Sequence, residues 1–303
     1  MFFKNATIYT YTNLPVMTEE MFQEGAFIAC SDYQFSSSGF VAPASFEKLL
    51  NVVQDYALLC INTEEKILPA EVVRREAGKL IAEIEEAQGR KIYGKEAKQI
   101  QGDVTARLLP VAFTKHKRTH AVFDLKNQLL IVDASSAAQA EKVTKKIRMC
   151  IGSLPIKPIE ARYPPEMGMN SWLDSISNQN TLPGDFSVGI CAKLVGMQSE
   201  IHTLKEEPDL KKMANDLVKE NGMSCVELEL FYAGSVRVMF TKNLSLKGIK
   251  FMDLKPAEAE ANEEDPTAQT IAEADLFLCT HTISKIILGL CTALSGSMPG
   301  EQK

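Results

Sequence analysis

Between Gln88 and His120 stand eight basic residues, Arg90, Lys91, Lys95, Lys98, Arg107, Lys115, Lys117 and Arg118, against the two acids Glu96 and Asp103. That local balance of +6 belongs to a chain whose formal charge is −6, so the remainder carries −12. An acidic protein that gathers its positive charge in one segment builds a local field, and the natural partner of such a field is a polyanion. Neutralising phosphates asks only for cations at phosphate spacing. The chain has no zinc-finger, RNP or helix-turn-helix pattern, so the chemistry on offer is backbone binding without base readout.

Other chemistry has weaker support. His116 and His120 are four apart, as helical metal ligands are, but Lys117 and Arg118 between them would repel a cation. There is no H-E-x-x-H, no Walker-type phosphate loop and no G-x-S-x-G. Asp124 and Asp133 sit near strand ends where a nuclease would place magnesium ligands, although Asp more often serves turns there. A third reading is an interaction module whose basic tip meets an acidic protein. The expectation is a non-enzyme with no catalytic residue, cofactor or metal.

The elements that must position the cations follow from periodicity. Pro69 suits a helix start, because its missing N–H costs nothing there. Behind it Val73, Ala77, Leu80, Ile84 and Ala87 form one apolar stripe. Gly89 and Gly94 bracket Arg90-Lys91-Ile92-Tyr93, and Ala97, Ile100, Val104 and Leu108 form a second stripe that ends at Pro110. This predicts an antiparallel helical hairpin with Arg90, Lys91 and Tyr93 at an exposed tip. Tyr93 suits stacking on a base, or contact with its own helix or a partner subunit.

Around the hairpin, strands are predicted over Thr7–Thr12, Ala26–Ala29, Tyr56–Asn62, His120–Asp124 and Gln128–Asp133, with Ser31–Ser45 as loop. Thr18 starts a short helix, and Ser135 or Ser136 caps another bearing Ala140, Val143, Ile147 and Cys150 on its apolar face. The prolines between Lys157 and Gly184 suggest a linker, with one packed turn at Trp172-Leu173. Beyond it, strands are predicted at Phe186–Leu194, Cys225–Phe231, Ser235–Phe240 and Ile249–Leu254. Helices are predicted at Asp209–Glu220 and Thr270–Leu294, with an acidic loop at Glu258–Asp265. Sheets and helices in separate runs argue α+β. The expected division is an N-terminal αβ domain over 1–68 and 109–156, a helical-hairpin finger over 69–108, a linker region over 157–184 and a C-terminal αβ domain over 185–303.

At 303 residues, 45% hydrophobic and 24% charged, the chain is long and apolar enough for more than one packed unit, which excludes a disordered polyelectrolyte. No run of about 18 purely apolar residues occurs, and the N-terminus does not read as an export signal, so a cytoplasmic protein without a membrane partner is expected. The seven cysteines stand singly, mostly in apolar runs, and read as reduced thiols.

Several short segments then carry a resemblance. Glu64-Glu65-Lys66-Ile67-Leu68-Pro69, Leu108-Leu109-Pro110 with Ala112-Phe113, Ile151-Gly152-Ser153-Leu154-Pro155, Ser245-Leu246-Lys247 with Lys250-Phe251, and Glu273-Ala274-Asp275 with Leu278 resemble the recombination-associated RdgC family. They fall in the family's order, and Phe3-Lys4-Asn5 is similar to its opening. The resemblance implies a nucleoid-associated protein that binds double-stranded DNA, and single-stranded DNA by the same chemistry, without sequence preference. It implies a ring-shaped homodimer that encircles duplex and limits access by the RecA recombinase. The Arg90, Lys91, Lys95 and Lys98 cluster matches the family's basic finger. Phe113, which by residue type alone reads as core, matches a dimer-contact aromatic. Two departures stand out. Val111 follows Leu-Leu-Pro where the family pattern has a basic residue, so that the DNA contact the resemblance implies there is either absent or displaced to Lys115 or Lys117. The segment from Gln198 to Met223 does not align cleanly.

Overall fold

The computed structural model describes residues 3–174, 182–252 and 267–294. Alternation along the strands explains the layers. In β4 (Tyr56–Lys66), Tyr56 and Leu58 point to one face while Ala57, Leu59 and Ile61 point to the other. The hairpin β5 (Thr114–Asp124) and β6 (Leu129–Val132) divides in the same way, Val122, Leu129 and Ile131 against Ala121, Phe123, Leu130 and Val132. With β1 (Thr7–Tyr11), β2 (Ser36–Phe40), β3 (Leu50–Val53) and β7 (Ile156–Pro158) they form a seven-stranded antiparallel sheet in the order β2-β4-β5-β6-β1-β7, β3 pairing with β4.

One face of this sheet is covered by α1 (Glu19–Gln23) and α4 (Ala137–Ile151), whose Ala140, Val143 and Ile147 are buried. The Ser136 hydroxyl caps α4 by accepting from Gln139 N. The opposite face shares a continuous core with a second antiparallel sheet. That sheet has the order β12-β11-β10-β8-β9, from β8 (Phe186–Val195), β9 (Ile201–Leu204), β10 (Ser224–Tyr232), β11 (Val236–Thr241) and β12 (Leu246–Phe251). Its helices are α5 (Pro165–Leu173) and α6 (Leu210–Asn221), and Ala6 pairs with Leu246 to join the first strand to β12. The architecture is α+β.

Helix α7 (Ala268–Ala293) contributes Leu276, Ile283, Ile286, Ile287 and Leu290 to the shared core. By length and composition it would also suit a bilayer, but that apolar surface is already used inside the protein. Two polar contacts fix it to the first sheet: Ser284 Oγ donates to the buried Asp124 Oδ2 at 2.6 Å, and Tyr56 Oη lies 3.1 Å from His281 Nδ1.

Some local expectations are corrected. Ser36–Phe40 is a strand inside the expected loop, whereas Ala26–Ala29 supplies only a single bridge, Ala26 to Phe40. Strands β3 and β9 add to those expected. The Thr18 side chain makes no capping bond to α1. The stretch 157–184 contains part of β7 and all of α5, in which Met169, Trp172 and Leu173 are buried. All seven cysteines are free thiols. The expected acidic loop at Glu258–Asp265 lies outside the described residues.

Candidate nucleic-acid interface

Helices α2 (Ala70–Gln88) and α3 (Gly94–Leu108) pack on each other through their own small core of Val73, Ala77, Ile92, Ile100 and Val104. Gly89 ends α2 in the left-handed conformation, φ 64°, where its N–H still reaches Glu85 O. Glu85 also pins the turn from its side chain, since Oε1 accepts from Ile92 N at 2.8 Å. At about 1.5 Å per residue the 19 residues of α2 span roughly 28 Å. At the other end, Lys66 Nζ donates to Leu109 O and Asp32 O at 3.0 and 2.9 Å, stitching the helix pair to the sheet.

The tip cations are not free. The Arg90 guanidinium forks onto Glu96 with contacts of 2.7 and 2.5 Å, and Lys91 Nζ lies 2.6 Å from Glu85 Oε2. Hydrogen bonding to these cations holds both carboxyls below the ordinary glutamate range. Tyr93 beside them is 73% exposed. On α3, Lys95 and Lys98 are exposed one turn apart, while Arg107, nine residues beyond Lys98, points half a turn away from it.

The last three cations sit on β5, whose strand conformation begins at Thr114 and so includes the whole basic run. Alternation sends Lys115 and Lys117 to the α4 side and Arg118 to the α7 side. Lys115 is paired with Glu65 at 2.9 Å. Of the eight predicted contacts, Arg90, Lys91 and Lys115 are therefore engaged. Lys95, Lys98, Arg107, Lys117 and Arg118 are exposed and have no ion pair among the described residues. Of the two lysines considered in place of a cation at Val111, Lys115 is ion-paired and Lys117 has no ion pair among the described residues.

Phe113, which residue type alone would bury, is 84% exposed, with Val111 at 77% and Ile67 at 47%. Phe113 O accepts from Ile67 N at 2.6 Å, so two of the three lie side by side at the open end of the sheet.

The residues considered for metal chemistry are dispersed. Asp133 pairs with His120, four residues along β5 from Asp124, which separates the two carboxylates by about 13 Å at strand rise. Asp124 is buried and accepts from Asn127 and Ser284; Asp133 accepts from Asn5 N. His116 and His120 are likewise about 13 Å apart on the strand, His116 against Asn62 and His120 stacked on Phe3. Burial first, and the Arg118 charge second, push the His120 imidazole down to about 4. Among the described residues no group of three or more His, Cys, Asp or Glu is placed to hold a metal ion.

Fold and surface thus define a two-sheet α+β protein with a helix pair between β4 and β5 and a spread of exposed cations running from that pair onto the sheet. A family model described as "Putative exonuclease, RdgC" matches residues 1–297. The chain is 30% identical to the recombination-associated protein RdgC of Tolumonas auensis over 312 residues, which covers 98% of this chain and 99% of that one. It is 30% identical to the Neisseria meningitidis protein of that name over 305 residues, with 98% and 99% covered, and 29% identical to the Shewanella frigidimarina protein over 289, with 90% and 91% covered. The chain belongs to the RdgC family.

Proposed function

We propose that this RdgC-family chain acts in recombination by binding double-stranded DNA without sequence preference, as a ring-shaped homodimer whose occupancy of the duplex limits RecA, with no chemical step. The observation that carries the reading is the exposure of five cations without an ion pair among the described residues, on a chain of net charge −6. In that reading the helix pair is a finger projecting from the N-terminal αβ domain, and its cations meet phosphates.

A two-subunit ring closes only if each subunit offers two self-complementary surfaces. Phe113 with Val111 and Ile67 supports one. The open edge of β9 supports the other: two copies paired antiparallel about His202-Thr203 would set Ile201 opposite Leu204, and Glu200 of one protomer opposite Lys205 of its partner.

The test is fluorescence anisotropy of two unrelated 30-base-pair duplexes over a salt series, with sedimentation of wild type and Phe113→Asp. Equal affinities that fall steeply with salt are expected, together with a dimer that Phe113→Asp opens at one of its two interfaces, seen as slower sedimentation than wild type. Failure of both duplexes to bind at low salt would leave an acidic protein as the partner of the basic segment. Magnesium-dependent shortening of a labelled duplex would overturn the absence of chemistry and favour the exonuclease description.

A further inference from the structure

Helix α4 carries a second cationic surface. Lys142, Lys145 and Arg148 are exposed on it and Lys146 is half-buried, against one acid, Glu141. None of the four cations has an ion pair among the described residues. Like charges three or four residues apart repel along a helix, as Lys142 does with Lys145 and Lys146, and Lys145 with Arg148. Such a pattern lowers the helix's own stability. The helix terminus accounts for Arg148, which lies in the last turn and donates to Leu154 O at 3.4 Å. It does not account for Lys142 and Lys145, which stand in mid-helix.

Two observations join this surface to β5. Gln139 Nε2 reaches Thr119 Oγ1 at 3.5 Å, setting the start of α4 beside the basic end of the strand. Lys115, 2.9 Å from Glu65, holds that carboxyl below the ordinary glutamate range, and the charges of Lys142 and Lys117 act on it in the same direction. At the far end, Lys145 and Arg148 line an open groove of about 780 Å³ whose other walls include Tyr9, Ile156 and Pro158.

We infer that α4 continues the nucleic-acid surface, so that a duplex backbone lying over Lys117 runs on across Lys142 and Lys145 and ends at the groove beside Arg148. The stripe from Lys142 to Arg148 rises about 9 Å. That accommodates two or three phosphates at about 3.4 Å of axial rise per strand position. The inference rests on the DNA-binding reading above and adds a surface to it.

The experiment compares wild type, Lys142→Gln/Lys145→Gln, Lys142→Arg/Lys145→Arg and Lys211→Gln/Lys212→Gln, the last pair being exposed on α6 beside the second sheet. Each is titrated into the two 30-base-pair duplexes between 50 and 200 mM salt. Loss of two phosphate contacts lowers the slope of log affinity against log salt by about 1.8, so the first variant should lose about 12-fold less affinity than wild type over that range. The arginine and α6 variants should keep the wild-type slope. A first variant that also keeps it, while wild type binds, overturns the inference alone. A wild type that binds neither duplex removes the DNA-binding reading, and the inference with it. Circular dichroism and urea unfolding of each variant separate lost contact from lost fold.

Discussion

Neutralising two acids at the helix-pair tip is expected to strengthen DNA binding. From Glu85 to Lys98 the tip holds four cations, Arg90, Lys91, Lys95 and Lys98, against three carboxylates, Glu85, Glu86 and Glu96. Two of those cations are already held, Arg90 by the Glu96 fork and Lys91 by Glu85 at 2.6 Å. Any phosphate that Arg90 or Lys91 meets in the native protein must displace a carboxylate, so the counterion release normally gained is partly forfeited. Glu85→Gln/Glu96→Gln raises the tip from one net positive charge to three. The side-chain amide that replaces the Glu85 carboxylate keeps a carbonyl to accept from Ile92 N, so the turn keeps its anchor. If both freed cations engage phosphates, the salt slope steepens by about 1.8, and the extra loss of affinity between 50 and 200 mM salt is about 12-fold. The assay is anisotropy on the same 30-base-pair duplex, with affinity at 50 mM salt expected above wild type. Adding Arg90→Gln/Lys91→Gln should abolish the gain. Wild-type affinity and slope in the doubly neutralised protein would refute the argument, because the tip cations would then not meet DNA at all.

Two further outcomes test the scaffold that holds this surface. Ser284→Ala removes a 2.6 Å donor from the buried Asp124 carboxylate, and urea unfolding should show a loss of about 1–3 kcal/mol; a change within about 0.5 kcal/mol would mean that the α7 contact is not stabilising. His120 binds its proton at about 4 in the folded protein against 6.5 unfolded, so the unfolded state takes up the proton first as pH falls. Its contribution is complete above pH 6.5 and is lost as pH drops toward 4, at most about 3 kcal/mol. Comparing His120→Gln with wild type at pH 7 and pH 4.5 isolates it from the carboxylates, and equal acid losses in both proteins would refute the assignment.

The strands and helices legible in the sequence are those whose burial imposes a period. Tyr56–Ile61 is buried on both faces and reads as a continuous apolar run, while α2 and α3 bury one stripe each and read at three and four. Ser36–Phe40 is a strand only because β4 supplies its hydrogen-bond partners; Ser-Ser-Ser-Gly has little strand preference of its own. The basic half of β5 is hidden for a related reason: Thr114 to Arg118 are exposed on both faces, so no alternation marks them. At the site, the cations can be counted from the sequence but their pairing cannot. Arg90–Glu96 and Lys91–Glu85 are six residues apart and meet only because the chain turns between Gly89 and Gly94, outside the helical spacings by which ion pairs are recognised.

That pairing gives the surface a direction. Helix α2 carries Arg74, Arg75 and Lys79 against Glu71 and Glu76 in its first half, and toward the tip only acids, Glu83, Glu85 and Glu86, of which Glu85 is paired with Lys91. Lys95 and Lys98 open α3 immediately after, and the next exposed cations in the chain without an ion pair among the described residues are Arg107, Lys117 and Arg118. On the DNA-binding reading proposed above, a duplex would be drawn to the Lys95 and Lys98 side of α3 and repelled by Glu83 and Glu86 on the distal half of α2. In that reading the −12 carried outside the basic segment would disfavour contact between phosphate and the rest of the surface. It would leave the α3, β5 and α4 cations as the places proposed to meet phosphate, a path along the protein that asks nothing of the base sequence.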